Sequence, residues 1–157
     1  MDHMKRVEVN DPFAIGQMGI MRFYEGNYEG AFKYYTKAAE LGDVESHYNI
    51  SCLYRGGKVE MDKKKEVYHS EQAAIGGHPL ARHDLGCRAA DSGNYERATR
   101  HFIIAANHGC EKSIKMLKNN HARGYVSKED FAVALRAHQA ALDATKSPQR
   151  EAAEKRE

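Results

Sequence analysis

The stretch Gly26-Asn27-Tyr28-Glu29-Gly30-Ala31 recurs 67 positions later, with five of six residues the same, as Gly93-Asn94-Tyr95-Glu96-Arg97-Ala98. In each place a helical pattern stops at the glycine and a second one starts beyond the asparagine. Alanine pairs extend the ruler along the chain, at Ala38-Ala39, Ala73-Ala74, Ala105-Ala106 and Ala140-Ala141, giving periods of 35, 32 and 35 residues. Periods of this size mark stacked helical hairpins, none of which can bury its apolar face alone. The shorter turn belongs to the first and third hairpins. The longer one, Gly57 to Asp62 and Gly124 to Lys128, belongs to the second and fourth.

The punctuation of the chain agrees with this division. Asp11-Pro12 reads as an N-cap followed by proline in the first turn, where a missing N–H costs nothing. The helix beyond it carries Ile15, Met18, Met21 and Phe23 on its apolar side and stops at Gly26-Asn27. Tyr28 to Leu41 forms its partner, with Gly42 placed for a left-handed C-cap. Asp43 and Asp62 cap the next two helices, which end at Gly56-Gly57 and Gly76-Gly77. His78-Pro79 opens a third pair that closes at Gly109. The first helix of the fourth pair carries Ile114 and Leu117. Ser127 with Glu129 and Asp130 opens the second, which carries Phe131 and Leu135. Ser147-Pro148 is expected to break that helix, leaving residues 146–157 as a charged tail. Residues 1–10 carry no helical stripe and are expected to be flexible.

Gly19, Ser51 and Gly86 fall at one equivalent place on successive first helices. A small side chain there lets two helix backbones approach closely. The fourth equivalent is Lys118, a departure expected of a terminal repeat with one face in solvent.

Composition narrows the class. With 24 basic and 22 acidic residues, bulk charge favours neither nucleic acid nor membrane as a partner. No apolar run approaches the roughly 20 residues of a membrane helix, and the first residues lack a secretory core. Three unpaired cysteines suit a reducing compartment, so an intracellular, cytoplasmic location is expected. Three prolines, no tryptophan and abundant helix formers make an all-α chain the expectation.

These residues resemble the tetratricopeptide superfamily and, within it, the Sel-one-like repeat family. The third repeat carries Leu85-Gly86, Gly93, Tyr95, Ala98, Phe102 and Ala105. The first carries Met18-Gly19, Gly26, Tyr28, Ala31, Tyr35 and Ala38. Lys37-Ala38-Ala39-Glu40-Leu41-Gly42 and the turn from Arg55 to Asp62 add the Sel-one-like character. The resemblance covers residues 11–145, with repeats at about 11–42, 43–77, 78–109 and 110–145. It implies a right-handed α-α superhelix, a solenoid of about four helical hairpins whose first helices line a concave groove used for protein–protein contact. The expected role is a non-enzymatic scaffold or adaptor. Some members belong to ubiquitin-pathway proteins that join such repeats to a zinc-binding domain, and this chain as a fragment of one is an alternative reading. Secreted members that bind or hydrolyse β-lactams staple each repeat with cysteines, a pairing missing here.

In that register the groove residues are Tyr48, Cys52 and Arg55 in repeat two, His83, Cys87 and Asp91 in repeat three, and Lys115, Asn119 and Arg123 in repeat four. Three basic residues against one acidic point to an acidic peptide or protein as ligand. His83 and Cys87, four apart on one helix, are the alternative centre for a metal-binding or hydrolytic protein. They align with Tyr48 and Cys52, so recurrence favours packing or groove lining, and no cofactor or metal is expected. His69 and Ser70 point about 100° apart on a helix and make no catalytic pair. Partner identity, pathway and oligomeric state stay open.

Overall fold

A computed structural model of the chain describes residues 10–156. The expected flexible segment therefore lies outside the described residues except for Asn10. Among the described residues eight helices follow in order: α1 (Pro12–Tyr24), α2 (Tyr28–Glu40), α3 (Val44–Arg55), α4 (Lys63–Ile75), α5 (Pro79–Asp91), α6 (Tyr95–Asn107), α7 (Glu111–Ala122) and α8 (Lys128–Glu154). No strand occurs among the described residues. The chain divides into two compact units, Met1–Ala81 and Arg82–Glu157.

The helix starts are set by side chains that accept from the first free backbone donors. Asp11 accepts from the N–H groups of Phe13 and Ala14 at 2.9 and 3.3 Å. Asn27, Asp43, Asp62 and Asn94 each accept from the third residue of their helix. Ser127 does the same for Asp130 at 3.1 Å. At the other ends, glycine supplies the left-handed residue. Gly42, for example, has φ +95°, its N–H donates to Ala39 O and the Asp43 N–H donates to Ala38 O.

In the first unit the core gathers Ala31, Tyr35, Ala39, Ile50, Leu53 and Tyr54, with Ile20 and Phe32 packed against them. In the second it gathers Ala98, Phe102, Ala106, Leu117, Val126 and Ala134. The small-residue seam is real in both. A methyl on Gly19 would stand 2.6 Å from the Tyr35 ring, and one on Gly86 would stand 2.5 Å from the Phe102 ring. Each glycine thus receives the aromatic ring of the partner helix of its own hairpin. Ser51 is fully buried, its hydroxyl donating to Tyr48 O at 2.6 Å, and Lys118 is exposed.

Four local expectations are corrected. Met21 is half exposed, because the core takes Ile15 and Met18 from α1 and leaves Met21 on the outside of the helix. The alanine pairs are buried at Ala38-Ala39, Ala73-Ala74 and Ala105-Ala106, but Ala140 is exposed and Ala141 half-buried. In α8 the inward places go to Ala134 and His138 instead, and Leu135 is 44% exposed. Among the described residues no helix follows α8, and none packs on the face that meets the next hairpin in the earlier repeats. The helix also runs through Ser147-Pro148 to Glu154. One proline removes one backbone donor, and the surrounding alanine, glutamate and arginine carry the helix on.

Candidate functional site

After the helices have packed, the first unit keeps an open cleft between α1 and α3, of about 260 Å³. Helical spacing makes its walls. Ile20, Phe23 and Tyr24 lie three and four apart on α1, and Glu45, Asn49 and Cys52 lie four and three apart on α3. Tyr35 of α2 forms the floor. Burial pushes its phenol up to about 12, and neighbouring Tyr24, Cys52 and Glu45 add to the shift. The Tyr35 hydroxyl therefore stays neutral beside the cleft. A smaller continuation is lined by Phe13, Gly16 and Gln17 of α1 and by Asp43 and Ser46 at the start of α3. From Phe13 to Tyr24 the α1 wall is about 17 Å long, room for about five residues of extended chain.

Of the expected groove residues, Cys52 lines this cleft. Tyr48 instead stacks on His78, with ring centroids 4.1 Å apart and planes 18° apart. The His78 ring is fixed at both nitrogens: Nδ1 accepts from the Ala81 N–H at 3.3 Å, and Nε2 lies 2.8 Å from Glu45 Oε2. An accepting Nδ1 makes this the neutral tautomer that donates from Nε2.

Arg55 turns to Glu66 of α4, whose side chain is 1% exposed. Arg55 Nε stands 3.9 Å from Glu66 Oε1 and Lys63 Nζ 3.3 Å from Oε2. A buried carboxylate is costly once a cation is withdrawn. Arg55→Ala should therefore cost about 1–2 kcal/mol in urea unfolding, below the full buried-pair penalty because Lys63 remains and Arg55 is part-exposed. Adding Glu66→Gln to that variant should restore most of the loss.

In the second unit, Cys87 is half-buried against the core and Asp91 is exposed. Lys115 and Asn119 are exposed along α7 and Arg123 is exposed at its C-cap, Lys115 Nζ lying 3.4 Å from Glu111. His83 is 8% exposed and faces inward. Its Nδ1 stands 2.7 Å from the buried Ser113 hydroxyl, its Nε2 stands 3.5 Å from Cys87 Sγ, and its ring leans on Phe102. Burial lowers its affinity for a proton.

The first unit explains this histidine. Shifted by 67 residues, Gly16, Asp43 and Ser46 correspond to His83, Cys110 and Ser113. In the first copy the Asp43 carboxylate caps α3 and accepts from the Ser46 hydroxyl. A methyl on Gly16 would meet both groups at 3.0 Å. In the second copy Cys110 makes no side-chain cap, and the imidazole of His83 takes the serine hydroxyl instead. His83 is a packing residue that replaces a carboxylate.

A second histidine pair joins α3 to α4. His47 Nδ1 and His69 Nδ1 are 2.9 Å apart, so one donates N–H to the bare nitrogen of the other. Tyr54 stacks beside His69 and Tyr68 meets its edge. Burial, then the neighbouring His47 and Lys65, bring His69 down to about 4. Burial also lowers His47, against the opposing pull of Asp43 and the Ala39 backbone.

Among the described residues no group of three or more His, Cys, Asp or Glu side chains is placed to hold a metal ion. No helix among them is long and apolar enough to cross a membrane. The cleft residues Ile20, Phe23, Tyr24, Glu45 and Asn49 were not singled out from the sequence as binding residues. The signal for them was the α1 stripe continuing past its buried part into Phe23 and Tyr24.

No family model matches the chain, and no curated protein matches it. Solved structures do. A Sel1 repeat protein from Oxalobacter formigenes is 29% identical, with a TM-score of 0.72 over 90% of this chain and 62% of its own. A protective antigen of uropathogenic Escherichia coli with an SLR fold is 23% identical, with a TM-score of 0.70 over 90% of this chain and 32% of its own. The second likeness speaks to fold alone. The chain thus spans about three fifths of one relative and one third of the other.

Proposed function

We propose that this chain, a Sel1-like (Sel-one-like) repeat protein of tetratricopeptide-like, all-α solenoid architecture, is a non-enzymatic interaction module that holds an extended segment of a protein partner in the α1–α3 cleft. Folds of this kind commonly serve as protein–protein interaction scaffolds. The observation that carries the reading is the cleft itself. Two first helices stand apart, and their facing side chains leave aromatic walls, a phenol at the floor and the Asn49 amide to read a backbone.

The wider groove of expected residues has less support. Arg55 serves Glu66, Lys115 stands beside Glu111, and His83 is enclosed by Ser113 and Phe102. The case for an acidic ligand rested largely on those cations. A hydrolytic role at His83 and Cys87 is disfavoured by the same enclosure, since substrate has no approach to a nearly buried imidazole.

Selection of a random peptide library on the purified protein tests the reading. Enriched peptides should bind the wild type and lose at least about tenfold affinity with Asn49→Arg, which fills the cleft from an intermediate-exposure position. Tyr125→Ser, on the second unit, should leave binding intact. Peptides that bind Asn49→Arg as well as the wild type would overturn the assignment.

A further inference from the structure

Resting on that cleft as the binding site, we infer that the segment it takes is cationic, with a lysine or arginine set among apolar residues. Among the described residues, the cleft and its continuation are lined by the carboxylates of Glu45 and Asp43 and by no lysine or arginine. Glu45 engages His78 through Oε2 only, and its side chain is 58% exposed. Because His78 accepts at Nδ1, it meets Glu45 as a neutral ring, and among the described residues no lysine or arginine is paired with that carboxylate. The Asp43 carboxylate caps the N-terminus of α3, a position that favours an anion.

The aromatic walls point the same way. Tyr24 is 83% exposed, so its ring is open to an incoming group, with Phe23 in T-shaped contact beside it at a centroid distance of 5.7 Å. A ring face attracts an ammonium or guanidinium and the carboxylate completes its recognition. The stem of a lysine or arginine meanwhile lies against Ile20 and Phe23.

The second copy shows how much of this belongs to one site. Phe23, Tyr24 and Glu45 become Ala90, Asp91 and Lys112 when shifted by 67 residues. The aromatic wall is gone and the wall charge of α3 is reversed in α7, so the inference concerns the first unit alone.

Three end-blocked heptapeptides on one apolar framework, carrying Lys, Gln or Glu at alternate positions, test it by fluorescence anisotropy on the full chain. The Lys peptide should bind about tenfold tighter than the Glu peptide, with Gln between and the difference shrinking as salt rises. Glu45→Gln should reduce the Lys advantage severalfold, with circular dichroism confirming an unchanged helix content. Asn49→Arg should abolish binding of all three. If no peptide binds, or all bind Asn49→Arg unchanged, the cleft is not the site. If binding depends on the cleft but Glu matches or exceeds Lys, the cleft stands and the cationic inference fails. A dimer in light scattering that Asn49→Arg dissolves would give the cleft to a second copy and overturn the inference.

Discussion

Phe102→Ala should cost about 3–5 kcal/mol, the largest effect of any single substitution considered. The ring is 1% exposed, belongs to the core of the second unit, and touches His83 as well as the place opened by Gly86. Truncation removes the ring's burial and leaves a cavity between two helices that cannot close on it, since their backbones are already near. Denaturant unfolding followed by far-UV circular dichroism measures the loss. Gly86→Leu alone should destabilise by about 1–3 kcal/mol, since its Cβ would stand 2.5 Å from the same ring. Placed in the Phe102→Ala background, the leucine enters the vacated space, and the double variant should be more stable than Phe102→Ala. A coupling of about 2 kcal/mol is expected. Additive effects would show that Gly86 and Phe102 do not share a seam.

Acid should destabilise the first unit through the His47–His69 contact. His69 binds its proton only near pH 4 in the folded chain, against 6.5 for the free side chain. Between those values the unfolded chain holds more protons, so stability falls as pH drops from about 6.5 to about 4 and changes little through this group below that. Two and a half pH units correspond to roughly 3 kcal/mol, and partial solvent access brings the expectation to about 2 kcal/mol. His47 is lowered by burial and contributes with the same sign. The measurement is urea unfolding at pH 7.5 and pH 4.5 for the wild type and His69→Gln. The variant should lose about half of the pH dependence, because burial lowers His83 and His101 as well and these remain. An identical slope in the two proteins would remove His69 from the account.

What the sequence made legible were the joints. Asp11, Asn27, Asp43, Asp62 and Asn94 announce helix starts because their short polar side chains reach a free backbone donor. The glycines at 26, 42, 93 and 109 announce ends because only they take positive φ without a Cβ penalty. Both signals are local, and both survive whatever packs around them. The fourth alanine pair misled because an alanine is a seam residue only when another helix arrives to close on it, and among the described residues none follows α8. Pro148 misled because a cost of a few kcal/mol at one residue does not decide a helix of 27 residues.

The cleft was harder to read because it is what packing leaves over. Tyr48 and Arg55 have the right spacing for a groove wall. The structure spends one on a stack with His78 and the other on a buried glutamate. Phe23 was read as part of the apolar face and lies, with Tyr24, at its uncovered edge. Spacing tells which face of a helix a residue shares, and the partner helix decides what that face is for.

The exchange of Asp43 for Cys110 and of Gly16 for His83 bears on how the two copies could diverge. Ser113 needs one polar neighbour, and either a carboxylate or an imidazole serves, but the two cannot be traded one residue at a time. Reverting His83 to glycine alone leaves a buried hydroxyl bereft and a hole beside it. Introducing histidine at position 16 alone drives a ring into Asp43 and Ser46. Whichever copy is taken as the starting point, the route between them passes through a less stable intermediate, a case of epistasis in stability between sites about 30 residues apart. Coupled exchanges of this kind let a duplicated hairpin pair keep one shape while the two copies become chemically distinct.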